Sequence, residues 1–147
     1  MKLEKVLHPG VVRLDLPGET KQEIIEAMLD ILVETGKVGD RHTALACLLE
    51  RERKMSTGIE NGVAIPHGKT VVVDELLACI GIKKEGADFD SLDGEPSKIF
   101  IMTLSPLHSS GPHIQFLAEV SRLLQDGDSR EKILSARSTH EVLEVLL

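Results

Sequence analysis

Apolar positions along this chain recur in two rhythms, one of period two and one near 3.6. Val12, Leu14 and Leu16 alternate with Arg13 and Asp15, the period of a half-buried strand, and Pro17-Gly18 ends it. Residues 1–10 read as a loosely attached start, with Pro9-Gly10 as a turn. The rhythm then changes. Thr20-Lys21-Gln22-Glu23 has the spacing of a capping box. Ile24, Ile25, Met28, Leu29 and Leu32 follow on one helical face, and Gly36 is placed to end the helix. Asp40 can cap a second helix, whose stripe is Ala44, Leu45, Leu48 and Leu49. Glu50-Arg51-Glu52-Arg53-Lys54 reads as its charged, solvated exit. The short Gly-containing link between the two predicts a helical hairpin.

The middle of the chain is strand-like. Val63-Ala64-Ile65 is a short apolar run, and Leu76 to Lys83 and Ile99 to Leu104 have the composition of buried strands. Thr70 to Val73 is β-branched, and Asp74-Glu75 marks a turn. Residues 88–96 form a loop, with Asp93-Gly94 as a hairpin signal. A polar connection, 105–112, leads to a helix opened by His113 and carrying Ile114, Leu117, Ala118, Val120, Ser121 and Leu124 on one side; Pro112 suits its first turn. Asp128/Glu131 and Ser138/Glu141 repeat the capping spacing before two further apolar stretches. Strands interspersed with helices predict one α/β domain over 1–147, a mixed β-sheet flanked by helices on both faces in three layers.

Composition narrows the function. A chain of 147 residues buries enough surface to fold without staples. Trp and Tyr are absent and Phe89, Phe100 and Phe116 are the only aromatics, so the core is aliphatic and no base-stacking platform is available. The net charge of −7 also argues against nucleic acid. Cys47 and Cys79 are lone cysteines in apolar runs, read as buried free thiols of a reducing compartment. The N-terminus lacks a signal peptide's apolar region, and no apolar run approaches the ~20 residues of a membrane span. These features predict a cytoplasmic protein with no direct membrane insertion.

The chemistry concentrates in residues 55–70. Val63-Ala64-Ile65-Pro66-His67-Gly68 delivers a histidine at a strand end, on a backbone that Pro66 stiffens and that Gly68 opens to close approach. The residues alone leave two readings, a presented reactive imidazole or a structural histidine in a turn. Gly68-Lys69-Thr70 resembles the end of a phosphate-binding P-loop, but the required upstream glycine falls on Val63, and a β-branched run follows in place of a helix. Six histidines do not form a zinc pattern, since His108 and His113 have no correctly spaced partners. Ser56, Ser105, Ser109 and Ser110 could pair with a histidine, but none lies in Gly-x-Ser-x-Gly, which leaves a serine hydrolase as a weak runner-up. A histidine can itself be a nucleophile toward phosphorus, given donors and positive charge to meet the phosphate. His113 at a helix start, Arg51 at a helix end and the glycine-rich backbone of 58–62 are the candidates.

Leu49-Glu50-Arg51-Glu52, Ser56-Thr57-Gly58-Ile59 and Gly62-Val63-Ala64-Ile65-Pro66-His67-Gly68 together closely resemble the signature of enzyme IIA domains of the fructose/mannitol type, with which the nitrogen-regulatory enzyme IIA proteins belong. The likeness continues through Asp88-Phe89, Leu92-Asp93-Gly94, the strand at 99–104 and His113. It implies a carrier of the bacterial phosphoenolpyruvate-dependent phosphotransferase system. His67 would accept a phosphoryl group from HPr or a regulatory counterpart and pass it to an enzyme IIB domain, or signal by its phosphorylation state. His113 and Arg51, sixteen residues before His67, fall on the family's other active-site positions, and Ser56, Thr57 and Gly58 are expected to orient the site or bind phosphate. No metal or organic cofactor is implied. The acidic charge would favour a donor with a basic surface. The rival reading is a regulatory binding module with no role in sugar transport.

One position departs from the family pattern. Ser-Thr-Gly-Ile-Gly here reads Ser-Thr-Gly-Ile-Glu, with Glu60 for a glycine. A positive φ there would strain Glu60, and a carboxylate facing His67 would repel phosphate. Glu60 is expected to point to solvent.

Overall fold

The computed structural model describes residues 3–147. Five strands form one sheet: β1 (Val12–Arg13), β2 (Val63–Ala64), β3 (His67–Lys69), β4 (Leu77–Ala87) and β5 (Ser97–Ser105). Five helices accompany them: α1 (Lys21–Glu34), α2 (Arg41–Lys54), α3 (Ser110–Leu124), α4 (Gly127–Ser135) and α5 (Thr139–Leu146). The spatial order is β1-β4-β5-β2, with β3 continuing beside β5. Only β4 and β5 pair antiparallel; the other pairings are parallel. The sheet is therefore mixed, and the Asp93-Gly94 turn sits in the β4–β5 connection with Gly94 at φ 74.

Side-chain alternation assigns the layers. On β4 and β5, Gly81, Phe100, Met102 and Leu104 share one face. A Cβ at Gly81 would meet Met28 of α1, and one at Gly68 would meet Cys47 of α2, so both helices cover that face. Ile80, Ile82, Ile99, Ile101, Thr103 and Ser105 point the other way. Ser105 bonds His113, which puts α3 on this second side. Both faces are buried, so the central strands read as continuous apolar runs, and the three-layer architecture follows.

Several local expectations hold in detail. Thr20 and Glu23 form the reciprocal capping box of α1, and Gly36 leaves it at φ 79. Asp40 caps α2 through Thr43 N, and Ser138 caps α5 through Glu141 N. Others are corrected. Over residues 3–10 the chain start is not loosely attached: Leu3 and Leu7 are buried, and Pro9–Val11 is a 3₁₀ turn; residues 1 and 2 lie outside the described residues. β1 is only two residues long, because the chain bends at Leu14 and rejoins β4 through a single bond from Leu16 N to Ile82 O. α3 begins at Ser110, three residues before His113, and α4 has Asp126, not Asp128, at its N-cap position, without a side-chain bond to the helix backbone. The charged exit of α2 is not wholly solvated, since Glu52 is 7% exposed.

Candidate functional site

Pro66 divides the apolar run in two, so His67 opens β3 and does not end β2. β3 runs parallel to β5, pairing His67 with Thr103 and Lys69 with Ser105. The two β3 side chains therefore share the face that α3 covers. α3 follows β5 after a four-residue connection, and His113 in its first turn returns over that same strand end. The two imidazoles meet there, with ring centroids 5.4 Å apart.

Each ring is held through Nδ1. That of His67 lies 2.8 Å from Ile65 O. A carbonyl only accepts, so Nδ1 of the neutral ring carries the proton and Nε2 keeps its lone pair. Nδ1 of His113 shares a 2.7 Å hydrogen bond with Ser105 Oγ. Ser105 is fully buried and His113 only 4% exposed, so this serine orients a ring and cannot serve as an accessible nucleophile.

The segment before His67 is a small hairpin. Ile59 N donates to Val63 O and Ile65 N to Thr57 O. Its turn needs two residues at positive φ, and these are Asn61 (64°) and Gly62 (76°). Asn-Gly is a strong hairpin signal that the sequence reading passed over. Glu60 precedes the strained positions and is exposed, so neither its backbone nor its carboxylate burdens the site. A side chain at Gly58 would strike Phe89 O and Ser91 Oγ, each 2.8 Å from its Cβ.

The expected phosphate donors are engaged inside the protein. Ser56 Oγ donates to Phe89 O (2.5 Å) and accepts from Gly58 N (3.0 Å). Thr57 gives both its N–H (2.8 Å) and its hydroxyl (2.6 Å) to Glu52. These residues shape the loop under the histidine; they do not form an open cradle.

Positive charge comes from two sides. Arg51 anchors one guanidinium nitrogen on Met55 O at 2.7 Å, and Lys69 bonds Ser110 Oγ at the start of α3. Burial lowers the His67 pKa; the Ile65 carbonyl and Glu52 pull it up, and Arg51 adds to the lowering. His113 is held down to about 4, first by burial, then by the charge His67 takes up on protonation, then by Lys69. Both rings are thus favoured in the neutral form at neutral pH.

This arrangement has close relatives. The family described as phosphoenolpyruvate-dependent sugar phosphotransferase system, EIIA 2, matches residues 5–147. This chain belongs to that family. A fructose-specific EIIA component of Haloferax volcanii is 41% identical over 136 residues, covering 92% of this chain and 88% of that protein. The nitrogen regulatory protein IIA-Ntr of Neisseria meningitidis superposes with a TM-score of 0.92 at 27% identity, over 99% of both chains. The mannitol enzyme IIA of Escherichia coli, solved in complex with phosphorylated enzyme IIB, superposes at 0.82 and 25% identity, over 95% of this chain and 96% of that one.

Within this enzyme IIA fold the structure brings His67, His113 and the Arg51 charge together, pairs Ser105 with His113 in an orienting role, and adds Lys69 and Glu52, which sequence reasoning missed. Lys69 was legible, because position 67 + 2 on a strand shares its face. Ser105 was legible as a possible histidine partner but not as a buried one, and Glu52 was not legible, since nothing local announces an interior carboxylate. Cys47 and Cys79 are both free thiols. Burial raises the pKa of each, and Cys47 Sγ donates to Lys69 O at 3.0 Å behind the site. Among the described residues, no group of three or more His, Cys, Asp or Glu side chains is placed to hold a metal, and no helix is long and apolar enough to cross a membrane.

Proposed function

We propose that this chain is a cytoplasmic phosphohistidine carrier in which Nε2 of His67 is the acceptor atom. The observation that carries the reading is the Nδ1 bond to Ile65 O, which leaves Nε2 as the nucleophilic nitrogen. Nε2 attacks the phosphorus of a donor phosphohistidine on HPr or a regulatory counterpart; the new N–P bond forms as the donor's N–P bond breaks, and the donor imidazole leaves with the electron pair. Arg51, Lys69 and His113 meet the charge on the phosphoryl oxygens. Ser56, Thr57 and Gly58 act indirectly, by holding the hairpin. The reverse step delivers the group to an acceptor, for which an enzyme IIB domain is the model, as in the mannitol complex. Exposed Met55, Leu107 and Ile114, near Arg51 and His113 in the chain, offer apolar contact to such partners.

Similarity to both a fructose EIIA component and a nitrogen regulatory protein supports a second output, signalling by phosphorylation state. The test is incubation with phosphoenolpyruvate, enzyme I and HPr. The expected product carries an acid-labile, base-stable phosphate that His67→Ala abolishes. An unlabelled wild-type chain with a competent donor refutes the carrier, and label persisting in His67→Ala refutes the site.

A further inference from the structure

Glu52 stands out in the last turn of α2. Its neighbours Glu50, Arg53 and Lys54 are exposed, yet its carboxylate is buried and takes three hydrogen bonds. Oε1 accepts from Thr57 Oγ1 (2.6 Å); Oε2 accepts from Thr57 N (2.8 Å) and Lys21 Nζ (3.0 Å). A carboxylate withdrawn from water persists only when so satisfied. The bonds run on toward the reacting atom. Thr57 O accepts from Ile65 N at 3.0 Å, and Ile65 O accepts from His67 Nδ1 at 2.8 Å.

We propose that Glu52, braced by Lys21, is a positioning residue for the His67 imidazole, acting through the Thr57 main chain and the Ile65 carbonyl. The inference rests on His67 being the phosphoryl acceptor. With its N–H and its hydroxyl both on one buried carboxylate, Thr57 is held at two points, which restrains the carbonyl that receives Ile65 N and with it the hairpin strand that ends in Ile65 O. That carbonyl selects the tautomer and aims Nε2. Lys21 is itself tethered: it pairs with Asp90 at 3.0 Å and lies 4.9 Å over the Phe89 ring. Burial works against its charge, but the bonds to Asp90 and Glu52 outweigh this and hold the ammonium above its usual range.

Glu52 also acts through charge. The ionisable groups around His67 are Arg51 and Glu52 from α2, Lys69 on its own strand and His113 from α3. Glu52 is the anion of the four. It keeps the imidazole basic, and hence nucleophilic, beside cations that the phosphoryl group needs but that depress basicity.

The experiment compares the wild type with Glu52→Gln, which keeps the side chain's shape and loses its charge, and with Lys21→Met. Two quantities are read: the rate of phosphoryl uptake from phosphorylated HPr at saturating donor, and the ¹⁵N shifts of the His67 ring across pH. In Glu52→Gln, uptake is expected to slow at least tenfold with donor KM unchanged, the His67 midpoint to fall, and Nδ1 to lose its excess protonation. Lys21→Met is expected to slow uptake and weaken the Nδ1 preference to a smaller degree, but without lowering the His67 midpoint, because it removes a cation and leaves the Glu52 charge in place. Unchanged His67 shifts and midpoint in a folded Glu52→Gln protein, or a wild-type uptake rate, overturn the proposal. Should Glu52→Gln not fold, unchanged His67 shifts in Lys21→Met overturn it, and displaced ones support it. The two readings fail separately: a wild type that takes no phosphate refutes the acceptor, while the ring shifts still report the positioning.

Discussion

The His67 and His113 rings meet edge to face, their planes at 73°. At this separation two imidazolium charges repel, so the pair accommodates one positive charge more readily than two. A phosphoryl group on Nε2 of His67 brings negative charge to the same place. His113 then gains a reason to be protonated, and it can stabilise the phosphorylated state more than the free one.

Replacing His113 by Ala therefore separates stabilisation from acceptance. Loss of one preorganised donor to a developing oxyanion typically costs about 10²–10³-fold in rate. His113→Ala is expected to slow phosphoryl uptake by about 10²-fold while still accepting label; single-turnover uptake from phosphorylated HPr measures it. Label as fast as wild type would remove His113 from the reaction.

Acid should destabilise the fold through the same residue. The His113 pKa falls from its ordinary 6.5 to about 4 on folding. As pH drops, the unfolded chain takes up the proton first, so stability is intact above 6.5 and is lost progressively down to about 4. The full shift corresponds to about 3 kcal/mol as an upper bound. His67, also lowered, contributes in the same direction. Urea unfolding at pH 7 and pH 4.5 should show a smaller difference for His113→Gln than for wild type; equal differences would contradict the burial of a neutral ring.

Gly68 has a steric reason to be glycine. Its missing Cβ would sit 2.7 Å from Cys47 Sγ, which is bonded to Lys69 O. Gly68→Ala should destabilise the protein by about 1–3 kcal/mol and push β3 away from α2. Cys47→Ala made together with it should recover much of that loss. Additive effects in the double-mutant cycle would show that the two side chains do not compete for this space.

Thr103, the register partner of His67, is fully buried, and its hydroxyl has no hydrogen-bond partner. A near-isosteric valine removes that unpaired group without leaving a hole. Thr103→Val is expected to raise stability by on the order of 1 kcal/mol, read by thermal or urea unfolding. A clear loss of stability would show that the hydroxyl is paired in solution.

What could be read from the sequence was local. Capping boxes, apolar periods and the Pro-His-Gly segment act over a few residues, so α1, α2, α5, the two long strands and His67 were all legible. Boundaries that depend on partners were not. β4 runs four residues past Lys83 through an irregularity in its ladder, and regains its pairing with β5 where Ala87 meets Ser97. Leu3 and Leu7 join the core because the folded body offers them a place.

The sequence by itself determined the α/β class, singled out His67 as the candidate acceptor and, through the Leu49–Glu52, Ser56–Ile59 and Gly62–Gly68 motifs, carried the family resemblance. Only the tertiary structure decided which nitrogen of His67 is free, that Ser56, Thr57 and Gly58 spend their donors internally, and that Glu52 is an interior carboxylate and not a solvated helix end. The physical reason is the reach of the interactions. A buried charge is tolerated only where partners converge, and the partner that completes Glu52 is Lys21, thirty-one residues away in the chain and 3.0 Å away in the fold.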